Sequence, residues 1–334
     1  CNLISNFIWY NIYMKQKEIL LFGATGQIGR NLIRKLSRNN YKIIAVTRNI
    51  HRAGYILKTQ ANPGYLELIE LKNFDSNKIE KLLKKASICI NLVGILFEKK
   101  KDEFKLIHSD LPALIAKKAH ELQIEKFIHL SALGIEKATD SKYALSKLEG
   151  EKRILANFKN SIIIKPSIVY SVDDKFSTKF MSLLSTLPLM PLYYNGRTKF
   201  SPIHVSDLVD VIYNLIDSKE ERLILECIGP EEFTFKEIIQ KILVSISKKR
   251  ILLPLPFPIA KLTAKFFQLF PNPLLTEDQL LMLKYDNCKS ENYKNNFDFG
   301  YKPTKKFETE IDKYSYNWKT GGQFATKSKL NKIK

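Results

Sequence analysis

The sequence is short of the residues that build metal sites and disulfide scaffolds. Its four cysteines, Cys1, Cys89, Cys227 and Cys288, include no C-x-x-C pair, and its five histidines include no H-x-x-x-H spacing. Neither a bound metal nor a disulfide framework is therefore expected. Acid is scarce too, with 34 Asp and Glu against 54 Lys and Arg, for a formal charge of +20. A basic surface suits nucleic acid or anionic lipid. Here, however, lysine is spread along the whole chain, as translation of an AT-rich gene would produce, and no nucleic-acid partner is expected. No apolar run is long enough to span a bilayer. Neither a complete signal peptide nor an Arg-rich transit peptide can be read at the start, and no internal repeat is visible. What is present suits a globular protein: 334 residues, 45% of them hydrophobic, can bury a sizeable core.

The most informative segment is Lys17–Gly29. An apolar run, Ile19–Phe22, breaks at Gly23; Gly26 and Gly29 follow at three-residue intervals, and Ile28, Leu32, Ile33 and Leu36 then recur at helical spacing. That order is strand, glycine turn, helix. Gly23 permits a sharp turn, Gly26 lets backbone N–H groups approach a pyrophosphate, and Gly29 lets helix and strand pack closely. The helix N-terminus adds unpaired N–H donors and a partial positive charge. A dinucleotide is the expected ligand.

Further strands are predicted near 42–47, 66–71, 87–92, 126–130 and 161–165, with helices near 27–38, 77–85, 104–122 and 142–157. Such alternation implies an α/β fold, a Rossmann-type doubly wound parallel sheet. Ligands of such sheets bind at the carboxyl ends of the strands, where Gly23, Arg48, Asn91 and Ser131 fall. The expected organisation is a nucleotide-binding domain over 14–166, then a smaller C-terminal lobe over 167–316, interleaved with the core. A basic tail over 317–334 follows, its last dozen residues expected to be disordered. Residues 1–13 read as upstream sequence ahead of a natural start at Met14; an apolar membrane-touching arm built on Phe7, Ile8, Trp9 and Tyr10 is the competing reading.

Cofactor choice is read after the second strand. Dinucleotide folds that choose NAD place an acid there to hold the ribose 2′-hydroxyl. This chain has Ile43–Arg48 ending in arginine, with no Asp or Glu close by in sequence. A guanidinium can pair with a 2′-phosphate, so NADP(H) is expected in preference to NAD(H).

Tyr143-Ala-Leu-Ser-Lys147 is Y-x-x-x-K on a helical stretch, with the phenol and ammonium one turn apart. Twelve residues upstream, the strand Lys126–Leu130 ends in Ser131. With Asn91-Leu-Val-Gly94, Lys165-Pro-Ser-Ile-Val-Tyr170 and Pro202–Asp207, this set resembles the extended short-chain dehydrogenase/reductase family over roughly 17–316. The resemblance implies that Tyr143 is an acid/base, that Lys147 lowers its pKa and holds the nicotinamide ribose, and that Ser131 orients a carbonyl. It also implies nucleotide contacts from Gly23, Thr25, Gly26, Gln27, Ile28, Gly29, Arg48, Asn91, Val93, Gly94, Ser131, Tyr143, Lys147 and Pro166. An acid common in the family after the third strand is replaced by Lys72 or Asn73, which leaves the adenine contacts open.

Beyond Pro166 prolines multiply, and Arg250–Pro258 runs into an amphipathic stretch, Ile259–Phe270. That stretch suits a membrane interface, a large partner or a lid on the lobe. Together with Asn91–Gly94, Glu125–Ser131 and Ile162–Ser167, the Leu253–Pro258 run resembles the NADPH-binding accessory subunits of respiratory complex I and their alphaproteobacterial relatives. This implies a structural nucleotide, complex I subunits and a membrane surface as partners, and a peripheral place on the cytoplasmic side of a bacterial inner membrane. A free-standing NADP-dependent reductase, epimerase or dehydratase and a redox-sensing regulator are the alternatives; intact Tyr143 argues against the regulator.

Overall fold

The computed structural model describes residues 17–256, 258–259, 261–262 and 275–322. The expected extension over 1–13 with Met14, most of the Ile259–Phe270 stretch and the end of the basic tail lie outside the described residues.

Strands β1 (Glu18–Phe22), β2 (Lys42–Thr47), β3 (Leu66–Glu70), β4 (Ile88–Asn91), β5 (Lys126–Leu130) and β6 (Ile162–Pro166) form one parallel sheet in the order 3-2-1-4-5-6. Ile19, Leu20, Leu21 and Phe22 are all buried, as are Ile162, Ile163 and Ile164. A strand covered on both faces reads as a continuous apolar run rather than an alternation. Two stretches from beyond Pro166, β11 (Leu223–Cys227) and β14 (Lys294–Asn295), extend this sheet to eight strands. One face is covered by α1 (Gln27–Arg38), α2 (Ile50–Lys58) and α7 (Val205–Ile216), through Leu32, Ile33, Leu36, Leu57, Leu208, Ile212 and Leu215. The other face carries α3 (Ser76–Leu83), α4 (Leu111–Glu121) and α5 (Lys142–Asn157), through Ile79, Leu83, Ile115, Ala119 and Ile154.

A separate apolar core holds the smaller lobe. It gathers α6 (Ser177–Thr186), α8 (Phe235–Ser245) and α10 (Phe307–Asp312) around Tyr170, Met181, Phe200, Phe235, Ile239 and Phe307. Short strand pairs surround it: β7 (Val169–Tyr170) with β10 (Ile203–His204), β9 (Lys199–Phe200) with β12 (Phe233–Thr234), and β8 (Leu189–Tyr193) with β13 (Ile251–Leu255). Helix α9 (Glu277–Met282) lies between this lobe and α5.

Two elements differ from expectation. No helix was predicted between β2 and β3, yet α2 forms, capped by the Asn49 side chain accepting from Arg52 N–H. It buries only Gly54 and Leu57, too few apolar positions to show a periodicity. The single helix expected over 104–122 begins instead as a π-helix, Lys105–Asp110, before α4. Pro112 has no N–H to give the His108 carbonyl, so the regular ladder cannot run through this point. That carbonyl is pressed against Gly150 of α5, where an added Cβ would lie 1.9 Å away.

Candidate functional site

The glycine turn sits at the carboxyl end of β1, where neighbours β2 and β4 connect in opposite directions along the sheet. Gly23 has φ +82°, and a Cβ there would lie 2.8 Å from the Leu92 carbonyl carbon. Gly29 is excluded from change by packing, since a Cβ would come within 2.5 Å of the Gly23 oxygen. Gly26 differs from both. An added Cβ would meet only the Gly23 oxygen, at 3.3 Å, and otherwise open space. Gly26 is also the N-cap of α1, and no side chain caps that helix end. Thr25 is exposed, Ile28 packs on the core, and Gln27 is half-buried with its Nε2 buried and unpartnered. An uncapped helix end, a cradle that a Cβ would fill and an orphan amide together fit a diphosphate and its sugars.

Asn91 closes the next loop. Fully buried, it accepts from Val93 N–H at 3.1 Å through Oδ1 and meets His129 Nδ1 at 3.1 Å through Nδ2. It thus shapes the Val93–Gly94 backbone from below. A Cβ on Gly94 would lie 3.4 Å from Lys147 Nζ and 3.8 Å from His108 Nε2, so the loop passes directly over both side chains. Lys147 is buried on α5 and donates to the Leu130 carbonyl at 3.0 Å, next to Ser131. Burial lowers its pKa to about 8. Ser131 itself is anchored through its N–H to the Ile164 carbonyl at 2.7 Å, while its Oγ is buried without a partner. Pro166, at the end of β6, accepts from Leu133 N–H at 3.0 Å and so holds the loop after Ser131.

Tyr143, on the first turn of α5, corrects one expectation. Its phenol is not activated by Lys147: burial first, and the Asp278 carboxylate second, push its pKa up to about 12. The ammonium is turned to the Leu130 carbonyl, whereas Asp278 of α9 sits on the N-terminus of Tyr143's own helix. At neutral pH Tyr143 is a neutral phenol able to donate a hydrogen bond.

Two nearby groups escaped the sequence reading. His108, on the π-helix, packs edge-on against the Tyr143 ring with centroids 5.2 Å apart. Its Nε2 accepts from Ile95 N–H at 3.1 Å, which leaves Nδ1 to donate to Ser146 Oγ at 2.9 Å. Burial, then the charge of Lys147, drives its pKa down to about 2, so it is neutral. A lone histidine in an apolar stretch carries no sequence signal. Behind the site, Lys165 is fully buried between Glu151 of α5, at 3.1 Å, and Glu136. Ser131 adjoins Glu151, although neither Ser131 Oγ nor Glu151 Oε1 completes a hydrogen bond of ordinary geometry. The spacing Lys147-x-x-x-Glu151 was the available clue.

Arg48 lies exposed after β2. The expectation that no acid stands nearby holds along the chain but not in space. Parallel register places Glu70 of β3 beside Thr47, and its Oε2 accepts from Ile50 N–H at 2.9 Å. That bond, then Lys72, holds the Glu70 carboxyl below the usual carboxylate range. The acid is already engaged at the N-terminus of α2, beside a basic set of His51 and Lys72. Among the described residues no group of three or more His, Cys, Asp or Glu could hold a metal ion. Likewise, no described helix is long and apolar enough to cross a membrane.

The chain is 27% identical over 306 residues to NADH dehydrogenase [ubiquinone] 1 alpha subcomplex subunit 9, mitochondrial, of Mus musculus, covering 89% of this chain and 81% of that protein. It is 23% identical over 301 residues to the NADH-ubiquinone oxidoreductase 40 kDa subunit, mitochondrial, of Neurospora crassa, covering 89% and 77%. Among solved structures, UDP-glucuronic acid 4-epimerase from Bacillus cereus, in complex with UDP-glucuronic acid and NAD, superposes with a TM-score of 0.66 at 16% identity, covering 90% of this chain and 99% of that one. That likeness shows a shared fold. Residues 19–225, more than half of the sequence, match the pattern of the NAD dependent epimerase/dehydratase family, and the chain belongs to that family.

Proposed function

We propose that the chain is an NADP(H)-binding accessory subunit of respiratory complex I, in which the nucleotide is held as a structural group rather than turned over. The observation that carries this reading is the similarity along 89% of the chain to relatives named as subunits of NADH dehydrogenase. The site agrees in its chemistry. The glycine turn and the open end of α1 offer N–H donors to a diphosphate, Arg48 offers a guanidinium to a 2′-phosphate, and Lys147 offers an ammonium to a ribose. Tyr143, raised to about 12, serves as a hydrogen-bond donor and is poorly suited to give up and regain a proton near neutrality. Partners on this reading are the other subunits of the complex and the adjoining membrane surface.

A free-standing NADP-dependent reductase, epimerase or dehydratase is the second reading. It is favoured by one observation, the presence of Ser131, Tyr143 and Lys147 around the Gly94 loop.

The two readings rank a pair of variants oppositely. On the accessory reading, Gly26→Val loses nucleotide and lowers NADH:quinone activity of membranes, while Tyr143→Phe leaves that activity intact. On the enzyme reading, Tyr143→Phe abolishes a carbonyl reduction and neither variant affects respiration. Normal respiration in Gly26→Val, with loss of nucleotide confirmed, would sink the structural-nucleotide reading.

A further inference from the structure

Helix α5 carries Tyr143 and Lys147, and like any helix it begins with N–H groups that its own ladder cannot satisfy. Here all four are paired, two of them by a residue more than a hundred positions away. Ser141, the N-cap, satisfies Ala144 N–H through its Oγ at 3.2 Å, and its own N–H donates to the Ala138 carbonyl at 3.1 Å. Asp278 satisfies Lys142 N–H through Oδ1 at 2.6 Å and Tyr143 N–H through Oδ2 at 3.2 Å, and it accepts from Ser141 Oγ at 2.8 Å. Its negative charge also lies at the favourable end of the helix dipole.

Asp278 does not reach over on a loose loop. It belongs to α9, a helix closed by a reciprocal capping box between Thr276 and Gln279. Gln279 Nε2 in turn donates to the Leu96 carbonyl at 3.3 Å, just beyond Gly94. Farther along, Asn287 Nδ2 donates to the Leu133 carbonyl at 2.7 Å, just beyond Ser131. One segment, Thr276–Asn287, thus bridges the loops that carry Gly94 and Ser131 and the helix that carries Tyr143. The neighbouring Glu277 pairs instead with Lys261 at 2.9 Å, and Ile259 and Leu262 in the same stretch are exposed.

We propose that Asp278 is a positioning residue for the Tyr143–Lys147 helix, and that α9 clasped on α5 is the form of the protein that holds nucleotide. The proposal rests on the reading of the site as a nucleotide site. Without the carboxylate the first turn of α5 frays, Tyr143 and Lys147 lose their fixed place, and the nucleotide binds more weakly although Asp278 touches none of it. Conversely, bound nucleotide steadies α5 and so holds α9 in its clasped position.

NADPH titration of the full chain, combined with hydrogen exchange, tests this. Asp278→Ala is expected to weaken NADPH binding about five- to tenfold, the size of a lost helix cap, and Asp278→Asn, which keeps one acceptor, to recover most of it. Glu277→Gln, which removes the ion pair to Lys261 and no bond to α5, is expected to bind as wild type does. In wild type NADPH is expected to slow exchange in α9 as well as in the first turn of α5; in Asp278→Ala the α9 response disappears. A cap with only a local structural role would not alter how α9 responds to ligand. Wild-type affinity in Asp278→Ala, or α9 exchange indifferent to NADPH that is shown to be bound, overturns the proposal. If wild type binds no nicotinamide nucleotide, the reading of the site fails instead. The clasp is then judged by exchange at Lys142 and Tyr143 in the unliganded protein, where equal rates in wild type and Asp278→Ala overturn it.

Discussion

Three glycines at equal spacing do three different jobs, and the consequences of replacing them differ accordingly. At Gly29 a methyl group would collide with backbone on two sides, Gly23 oxygen and Ala24 Cα, neither of which can swing away. Gly29→Ala is expected to destabilise the fold by about 1–3 kcal/mol or more, measured by urea unfolding. At Gly26 the only close neighbour is one carbonyl at 3.3 Å. Gly26→Ala is expected to keep near-wild-type stability and to lose nucleotide affinity; a variant that unfolds instead would contradict the open cradle. His108 yields a pH prediction at the same scale. It takes up a proton in the unfolded chain below about 6.5 but is held near 2 in the fold, burial being the larger cause. Below pH 6.5 the unfolded state therefore binds the extra proton, and stability falls as the solution becomes more acid. Between pH 7.5 and 5.5 this single group should cost about 1.4 kcal/mol. Unfolding of wild type and His108→Gln at both pH values should show that difference in slope.

At the scale of elements, the contact between α5 and β6 is unusual because it includes a buried charge pair beside its apolar packing. Lys165 projects from a strand whose other residues are aliphatic, and it is fully buried against Glu151. Burial of such a pair adds little net stability, but removing one member leaves the other as an uncompensated buried charge. Lys165→Met is expected to destabilise the fold by about 3–5 kcal/mol. The companion Glu151→Gln/Lys165→Met should recover part of that loss, since no formal charge then remains at the centre of the pair. Thermal unfolding of the three proteins decides the matter, and equal stability of wild type and Lys165→Met would place the charge in water after all. The junction of the π-helix with α4 shows the same principle with a backbone group. A proline removes one donor, and the freed carbonyl finds room only because α5 presents Gly150 there.

At the scale of the whole molecule, nucleotide binding and stability are linked. A ligand that binds only the folded state stabilises it by about 2.7 kcal/mol at a hundredfold excess over its dissociation constant. NADPH is accordingly expected to raise the Tm, and NADH at equal concentration to raise it less. Arg48→Asp should reverse that order, because a carboxylate repels the 2′-phosphate that the guanidinium attracts. Equal shifts by both nucleotides in wild type would remove the role assigned to Arg48. The engaged state of Glu70 makes this a sharp test, since that acid stands one strand away from the residue being exchanged.

Local chemistry was enough to read the first half of the fold. Apolar runs of Ile and Leu, a glycine turn and helical spacing after it depend only on neighbours in sequence, so β1, α1 and a doubly wound parallel sheet could be inferred from the chain itself. The same holds for the candidate side chains Ser131, Tyr143 and Lys147, which lie at fixed spacing on one strand end and one helix. Tertiary structure alone decided the electrostatics. Glu70 reaches the end of β2 through parallel register, Glu151 meets Lys165 through packing of a helix on a strand, and Asp278 reaches α5 from α9. Each of these joins groups 14 to 136 residues apart. The protonation state of Tyr143 was unreadable for that reason: the spacing to Lys147 promised a lowered pKa, and burial together with a distant carboxylate raised it.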